Sequence, residues 1–213
     1  YYSTSQNTTL RRDLCLEAMR LNLMLTEFEI TNTPAANALL SLMCFHSSRF
    51  DARTNLNGEL ILYEEQDENL WNKELILKGE YYLNRASTGK LLSKYHLEAA
   101  IAYWHTIKND STEKWENILQ LYNRLLQIEY SPIAALNRTF ALSKANGKLQ
   151  AIEEAEKLDL KNNHLYHMLL GNLYIDINNA KSGEHFKTAL ELAKTTSDKS
   201  FILQTINKRS AIN

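Results

Sequence analysis

From about Leu92 onward the chain repeats one plan: two amphipathic segments joined by a short polar turn, three times over. The positions Ala100, Asn137 and Gly171, each inside the first segment of a pair, lie 37 and 34 residues apart. A small side chain there lets two helices approach closely, and stacked pairs bury surface that no single pair can bury. The stripe Trp115, Ile118, Leu119, Tyr122, Leu125 and Leu126 has the period of a helix packed along one face. Only two prolines and six glycines interrupt 213 residues. The chain is therefore expected to be all-α.

The last pair fits a tetratricopeptide (TPR) pattern best. It has Leu170-Gly171 and Tyr174 on its first helix, and Ser182, Phe186 and Ala189 on its second. The fold expected is a set of TPR-like antiparallel helix pairs in a right-handed superhelix. A helical hairpin precedes them, with Leu14, Ala18, Leu21 and Leu25 at helical spacing and Thr33-Pro34 as a cap and first turn. Residues 1–10 read as a polar lead-in and 11–213 as one helical domain: hairpin 11–49, insert 50–70, helix pairs 71–213.

The insert is the one long stretch without helical periodicity. Asn57-Gly58 favours a hairpin turn, and Leu60, Ile61, Leu62 and Tyr63 alternate after it. An acidic run, Glu64 to Glu68, leads to Trp71, with Asp67 or Asn69 as a cap. Leu60, Leu62 and Trp71 are expected to anchor this segment against the helices. Arg49, Arg53, Gln66 and Asp67 form its polar side, bonding to Asn137 or Arg138. Asn137 shares a helical face with Ile133, Phe140 and Ala141, which directs it toward the packing surface. There it serves either a helix contact or recognition of an extended segment.

Net charge is −1, and no Lys/Arg cluster supplies the basic face that a duplex-binding surface needs. Cys15 and Cys44 are expected as buried free thiols. His164 and His167 lie one turn apart without a third ligand at a telling spacing, and His46 and His185 stand alone in the sequence. No phosphate loop, nucleophile elbow or zinc-ligand set is present. The expectation is a non-enzyme without cofactor, and no apolar run reaches the ~20 residues of a membrane span.

Several blocks carry a resemblance across nearly the whole chain. They are Arg11-Arg12-Asp13-Leu14-Cys15-Leu16-Glu17-Ala18-Met19-Arg20-Leu21, then Gly58-Glu59-Leu60 with Leu62, Gln66-Asp67, Trp71 and Gly79. Further on come Leu97-Glu98-Ala99-Ala100-Ile101-Ala102 with His105, and Leu136-Asn137-Arg138 with Asn146-Gly147. Together they resemble the region that follows the DNA-binding regions in extracytoplasmic-function (ECF) sigma factors with a C-terminal TPR-like extension. The resemblance implies the regulatory, protein-interaction part of a cytoplasmic bacterial transcription initiation factor. Sigma regions lying before Tyr1 would supply DNA contact. RNA polymerase, those N-terminal sigma regions of the same chain, or a small regulatory protein would be the partner. Glu68 departs from the family, which often has Arg after Gln-Asp. A small-molecule-sensing helical domain and a free-standing TPR scaffold are the alternatives.

Overall fold

A computed structural model of the chain describes residues 12–55, 61–89 and 91–210, without the side chains of 197 and 208–210. The described residues form ten α-helices and no strand. The helices are α1 (Arg12–Glu27), α2 (Pro34–Ser47), α3 (Lys73–Ala86), α4 (Lys94–Trp104) and α5 (Thr112–Ile128), followed by α6 (Pro132–Asn146), α7 (Lys148–Glu156), α8 (His164–Leu173), α9 (Asn179–Leu192) and α10 (Thr196–Ser210). The all-α expectation holds. Packing divides the described residues into two compact units, one of 12–110 with 127–129, the other of 111–126 with 130–210.

Local chemistry sets most helix ends. Thr33 accepts from the Ala36 N–H at 3.2 Å, with Pro34 in the first turn, and Ser131 does the same for α6 beside Pro132. Asn72, Asn163 and Asn178 cap α3, α8 and α9 through their side chains. Such caps satisfy backbone N–H groups that have no partner within the helix. For α10 the cap is Thr195, whose Oγ1 accepts from the Asp198 N–H at 3.0 Å.

In the first unit α2 packs against α1, α3 and α4. Its core joins Leu42, Phe45, Ala99 and Ala102. In the second unit α6, α7, α8, α9 and α10 pack in succession, with Met168, Phe186, Ala189, Ala193 and Ile202 at one centre.

One packing device occurs in both units. Ser41 and Phe45 lie one turn apart on α2, facing Gly79 on α3. Ser182 and Phe186 have the same spacing on α9, facing Gly171 on α8. Each serine donates to the glycine carbonyl at 2.7 Å. A Cβ added at Gly79 would sit 2.5 Å from Phe45 Cε1, and one at Gly171 would sit 2.9 Å from Phe186 Cε1. The glycine admits the aromatic ring to the helix backbone, and the serine ties the two helices at the same level. The TPR pattern includes Gly171, Ser182 and Phe186, with a small residue at 171 for close approach; it does not extend to α2 and α3.

Two expectations are corrected here. The first helix packs through Cys15, Asn22 and Thr26, which are buried, and not through the leucines. Asn22 Nδ2 donates to the Ala36 carbonyl at 3.1 Å, while Leu14, Leu21 and Leu25 are about half exposed. On α6 the buried face is Ala134, Ala135, Leu136, Thr139, Ala141 and Leu142. Asn137 is exposed, beside partly exposed Ile133 and Phe140. Apolar side chains on both sides of α6 make its period ambiguous, and the alanines win because they allow closer approach.

Gly79→Ala is expected to destabilise the chain by about 1–3 kcal/mol, since Phe45 must leave its position. Gly183→Ala, inside α9 with nothing within 4 Å of the added carbon, should stabilise by about 0.5–1 kcal/mol through helix propensity. Urea unfolding of the two variants measures the contrast.

Candidate functional site: a cation–aromatic latch on the insert

The insert leaves α2 at Ser48 and turns through a 3-10 segment, Phe50–Ala52. Ile61 N–H donates back to the Arg53 carbonyl at 2.9 Å. Two further 3-10 turns follow, Tyr63–Glu65 and Glu68–Leu70. Tyr63 thus opens a helical turn where sequence alternation suggested an extended arm. Asn57, Gly58 and Leu60, on which the hairpin reading rested, lie outside the described residues. Leu62 is 41% exposed and anchors little, whereas Trp71 is 6% exposed and does anchor the segment. Trp71 precedes α3 and is not part of it. Behind it the Asn72 N–H donates to the Ser48 carbonyl at 2.8 Å, closing the insert at its base.

Tyr63 and Trp71 stack with centroids 6.2 Å apart and planes inclined by 28°. The buried Arg49 guanidinium lies 5.4 Å from the Tyr63 ring and 5.9 Å from the Trp71 ring. Lys108 places Nζ 5.3 and 5.9 Å from the same two rings. Cations over ring faces are attracted by the quadrupole, more strongly where water is excluded. Lys108 Nζ also donates to the carbonyls of Tyr63, Glu64 and Gln66 at 3.0, 3.1 and 2.8 Å. Short 3-10 turns leave some carbonyls without backbone partners, and the ammonium serves those of Glu64 and Gln66 as well as that of Tyr63, which also accepts from the Gln66 N–H at 3.3 Å. His105 packs edge-on against Tyr63 at 5.2 Å, and the Tyr63 hydroxyl donates to the Ile107 carbonyl at 3.1 Å. Burial raises the Tyr63 hydroxyl pKa.

Gln66 is buried and donates through Nε2 to the Ile61 carbonyl at 3.3 Å. Gln66 Oε1 and Trp71 Nε1 are buried without a hydrogen-bond partner among the described residues. They offer one acceptor and one donor inside the latch. Arg53 donates to His46 Nδ1 at 3.1 Å. An arginine can only donate, so His46 is neutral and accepts at that nitrogen. Burial, then Arg53 and Arg49, pulls the His46 pKa down to about 3.

The seven residues singled out from the sequence fall into four groups. Arg49, Gln66 and Trp71 belong to the latch. Arg53 holds His46 beside it. Asp67 is exposed and caps the turn, its carboxylate accepting from the Asn69 N–H at 2.9 Å. Asn137 and Arg138 belong to the second unit. There Arg138 Nε donates to Asn123 Oδ1 at 2.6 Å, and its NH1 lies 3.7 Å from Glu154, joining α5, α6 and α7. Tyr63, His105 and Lys108 complete the latch and were not singled out. Lys108 lies more than forty residues from the carbonyls it binds, so no local pattern marks it.

A second buried polar group lies in the other unit. His167 Nε2 donates to the Lys161 carbonyl at 2.8 Å, which leaves Nδ1 to accept from His185 Nδ1–H at 2.9 Å. His185 therefore does not stand alone, and His167 pairs with it across α8 and α9 rather than with His164. Tyr174 stacks on His185 at 5.7 Å and donates to Glu156, while Lys181 donates to the Tyr174 hydroxyl at 3.2 Å. Burial, then His167, lowers the His185 pKa. Cys15 and Cys44 are free and buried, and burial raises the Cys44 thiol to about 11. Among the described residues no group of three His, Cys, Asp or Glu could hold a metal ion. Among the described residues no helix is long and apolar enough to cross a membrane.

Residues 1–87 match a family model described as "Family of unknown function (DUF6596)". Over 203 residues the chain is 31% identical to an uncharacterized protein, R00370, of Rhizobium meliloti (strain 1021). The match covers 93% of this chain and 48% of that relative, so the chain spans about half the relative's length. No solved structure matches.

Lys108→Gln removes the ammonium from three carbonyls and two rings, and should destabilise the chain by about 1–3 kcal/mol. Faster hydrogen exchange at the Trp71 and Asn72 amides, with little change in α8 and α9, would mark the loss as local to the insert.

His46 and His185 are both held neutral in the fold, so the unfolded chain takes up protons first. Stability should be level between about pH 7 and pH 8 and fall as the pH drops through the ordinary histidine value near 6.5. The His46 contribution keeps falling toward about pH 3. Urea midpoints measured from about pH 8 to pH 5 test this, and His46→Gln should flatten the acid slope.

Proposed function

We propose that this chain is a C-terminal regulatory, protein-interaction domain of a bacterial ECF-type sigma factor, acting without catalysis and without a cofactor. The sigma regions that read a promoter would lie in another part of the full-length protein. This domain would tune their activity by contact with those regions, with RNA polymerase or with a small regulatory protein.

The observation that carries the reading is where its supporting residues fall. Gln66 and Trp71 lie in the latch, Gly79 receives Phe45, and Arg138 joins three helices. These four residues of the resemblance hold the architecture together, which a chance match of surface composition would miss, while Asp67 and Asn137 of the same blocks are exposed. The length of the relative supports it further, since a region covering about half of a longer chain suits an appended domain.

Removing these 213 residues from the full-length protein should change promoter-dependent transcription by at least several-fold, both with purified polymerase and in cells. Equal transcription with and without the region would exclude a regulatory role.

A further inference from the structure

The first helix presents two distinct faces. One packs on α2 through Cys15, Asn22 and Thr26. The other presents Leu14, Leu21, Leu25 and Phe28, at spacings of seven, four and three residues, with Met24 beside them. These are 43–64% exposed, and Ile30 at the end of the stripe is 93% exposed. Single exposed leucines are ordinary, but a continuous stripe along four turns is not. An apolar stripe on an amphipathic helix is ordinarily the face that is covered.

The rim of the stripe is acidic. Asp13, Glu17, Glu27 and Glu29 are exposed along it, against Arg12 and Arg20. Arg12 pairs with Asp51 at 2.8 Å, and Arg20 pairs with Glu17 at 2.8 Å. Two copies meeting through this face would bring acidic rims together, which argues against self-association. A partner suited to it presents an apolar ridge flanked by lysine or arginine.

We infer that the exposed face of α1 is the docking surface for an apolar, basic-flanked helical element in the additional portion of the full-length protein. The inference rests on the sigma-factor reading, in which that portion binds DNA and so carries basic surface. The longer relative has room for it, since 52% of its length lies outside the matched region. Tethering within one chain gives such an element a high effective concentration, so a face of this size suffices without a large interface.

The test uses the full-length protein carrying Leu25→Cys, with maleimide labelling read by peptide mass spectrometry. Labelling at least about tenfold slower than in the denatured chain, and unchanged on dilution, is the expected result. Labelling close to the denatured rate overturns the docking surface. Protection that disappears on dilution assigns the face to a second copy and overturns it equally. Glu27→Lys with Glu29→Lys should raise the labelling rate several-fold, and an unchanged rate overturns the basic-flanked partner. Promoter-dependent transcription by the same protein is measured separately. Its absence removes the sigma-factor reading while protection at position 25 stands, and rapid labelling removes the docking surface while transcription stands.

Discussion

The close approach of Phe45 to Gly79 sets the geometry on which the first unit depends. Phe45 is fully buried and the ring lies against the α3 backbone. Interiors pack at crystal-like density, so such a contact is a fixed point for the helices around it. Leu42 and Phe45 on α2 then meet Ala99 and Ala102 on α4, whose small side chains allow the same closeness on the other side. Helix α2 is therefore held from two directions, and its C-terminal end emerges at a defined place. Arg49 leaves from that end, so the position of the latch follows from the position of Phe45.

Once Arg49 and Trp71 are fixed, the insert has little freedom left. Its turns satisfy only some of their own carbonyls, and among the described residues it has no sheet partner beyond one backbone bond to Arg53. Lys108 solves this from the end of α4, and the two aromatic rings give both cations a favourable surface after leaving water. A neutral donor at position 108 could reach fewer of the three carbonyls and would gain nothing from the rings. The acidic run itself stays outside this arrangement: Glu64, Glu65, Asp67 and Glu68 are exposed, while Arg49 is buried and Lys108 half-buried.

Much of this was legible in the sequence because capping and small-residue rules are local. Thr33-Pro34 and Ser131-Pro132 mark helix starts that the structure reproduces, and Gly171 with Phe186 marks a helix pair. What escaped depends on distance or on competing faces. Lys108 and His185 act on partners far along the chain, and each looks like an ordinary surface residue by itself. Asn137 was placed on the wrong face because Ile133 and Phe140 mimic a buried stripe while the alanines of α6 take the close contact. The insert was half legible: Gln66 and Trp71 were singled out, but the alternation at Ile61 to Tyr63 suggested an extended arm where 3-10 turns occur.

The first helix shows the same ambiguity with a different outcome. Hydrophobic periodicity identified it as a helix but pointed to the leucine face as the packed one. Packing on α2 uses a thiol, an amide and a hydroxyl instead, because Asn22 can satisfy the Ala36 carbonyl where the start of α2 comes close. Burying those polar groups needs compensating hydrogen bonds; this site supplies them to Asn22 Nδ2 and to the Thr26 hydroxyl, which donates to the Leu23 carbonyl at 2.7 Å, and leaves Asn22 Oδ1 without a partner among the described residues. The leucines need no such compensation and would be the easier face to bury. A chain that spends its polar side chains on the inner contact and leaves the leucines outward is shaped by a second contact. Periodicity alone records the sum of both.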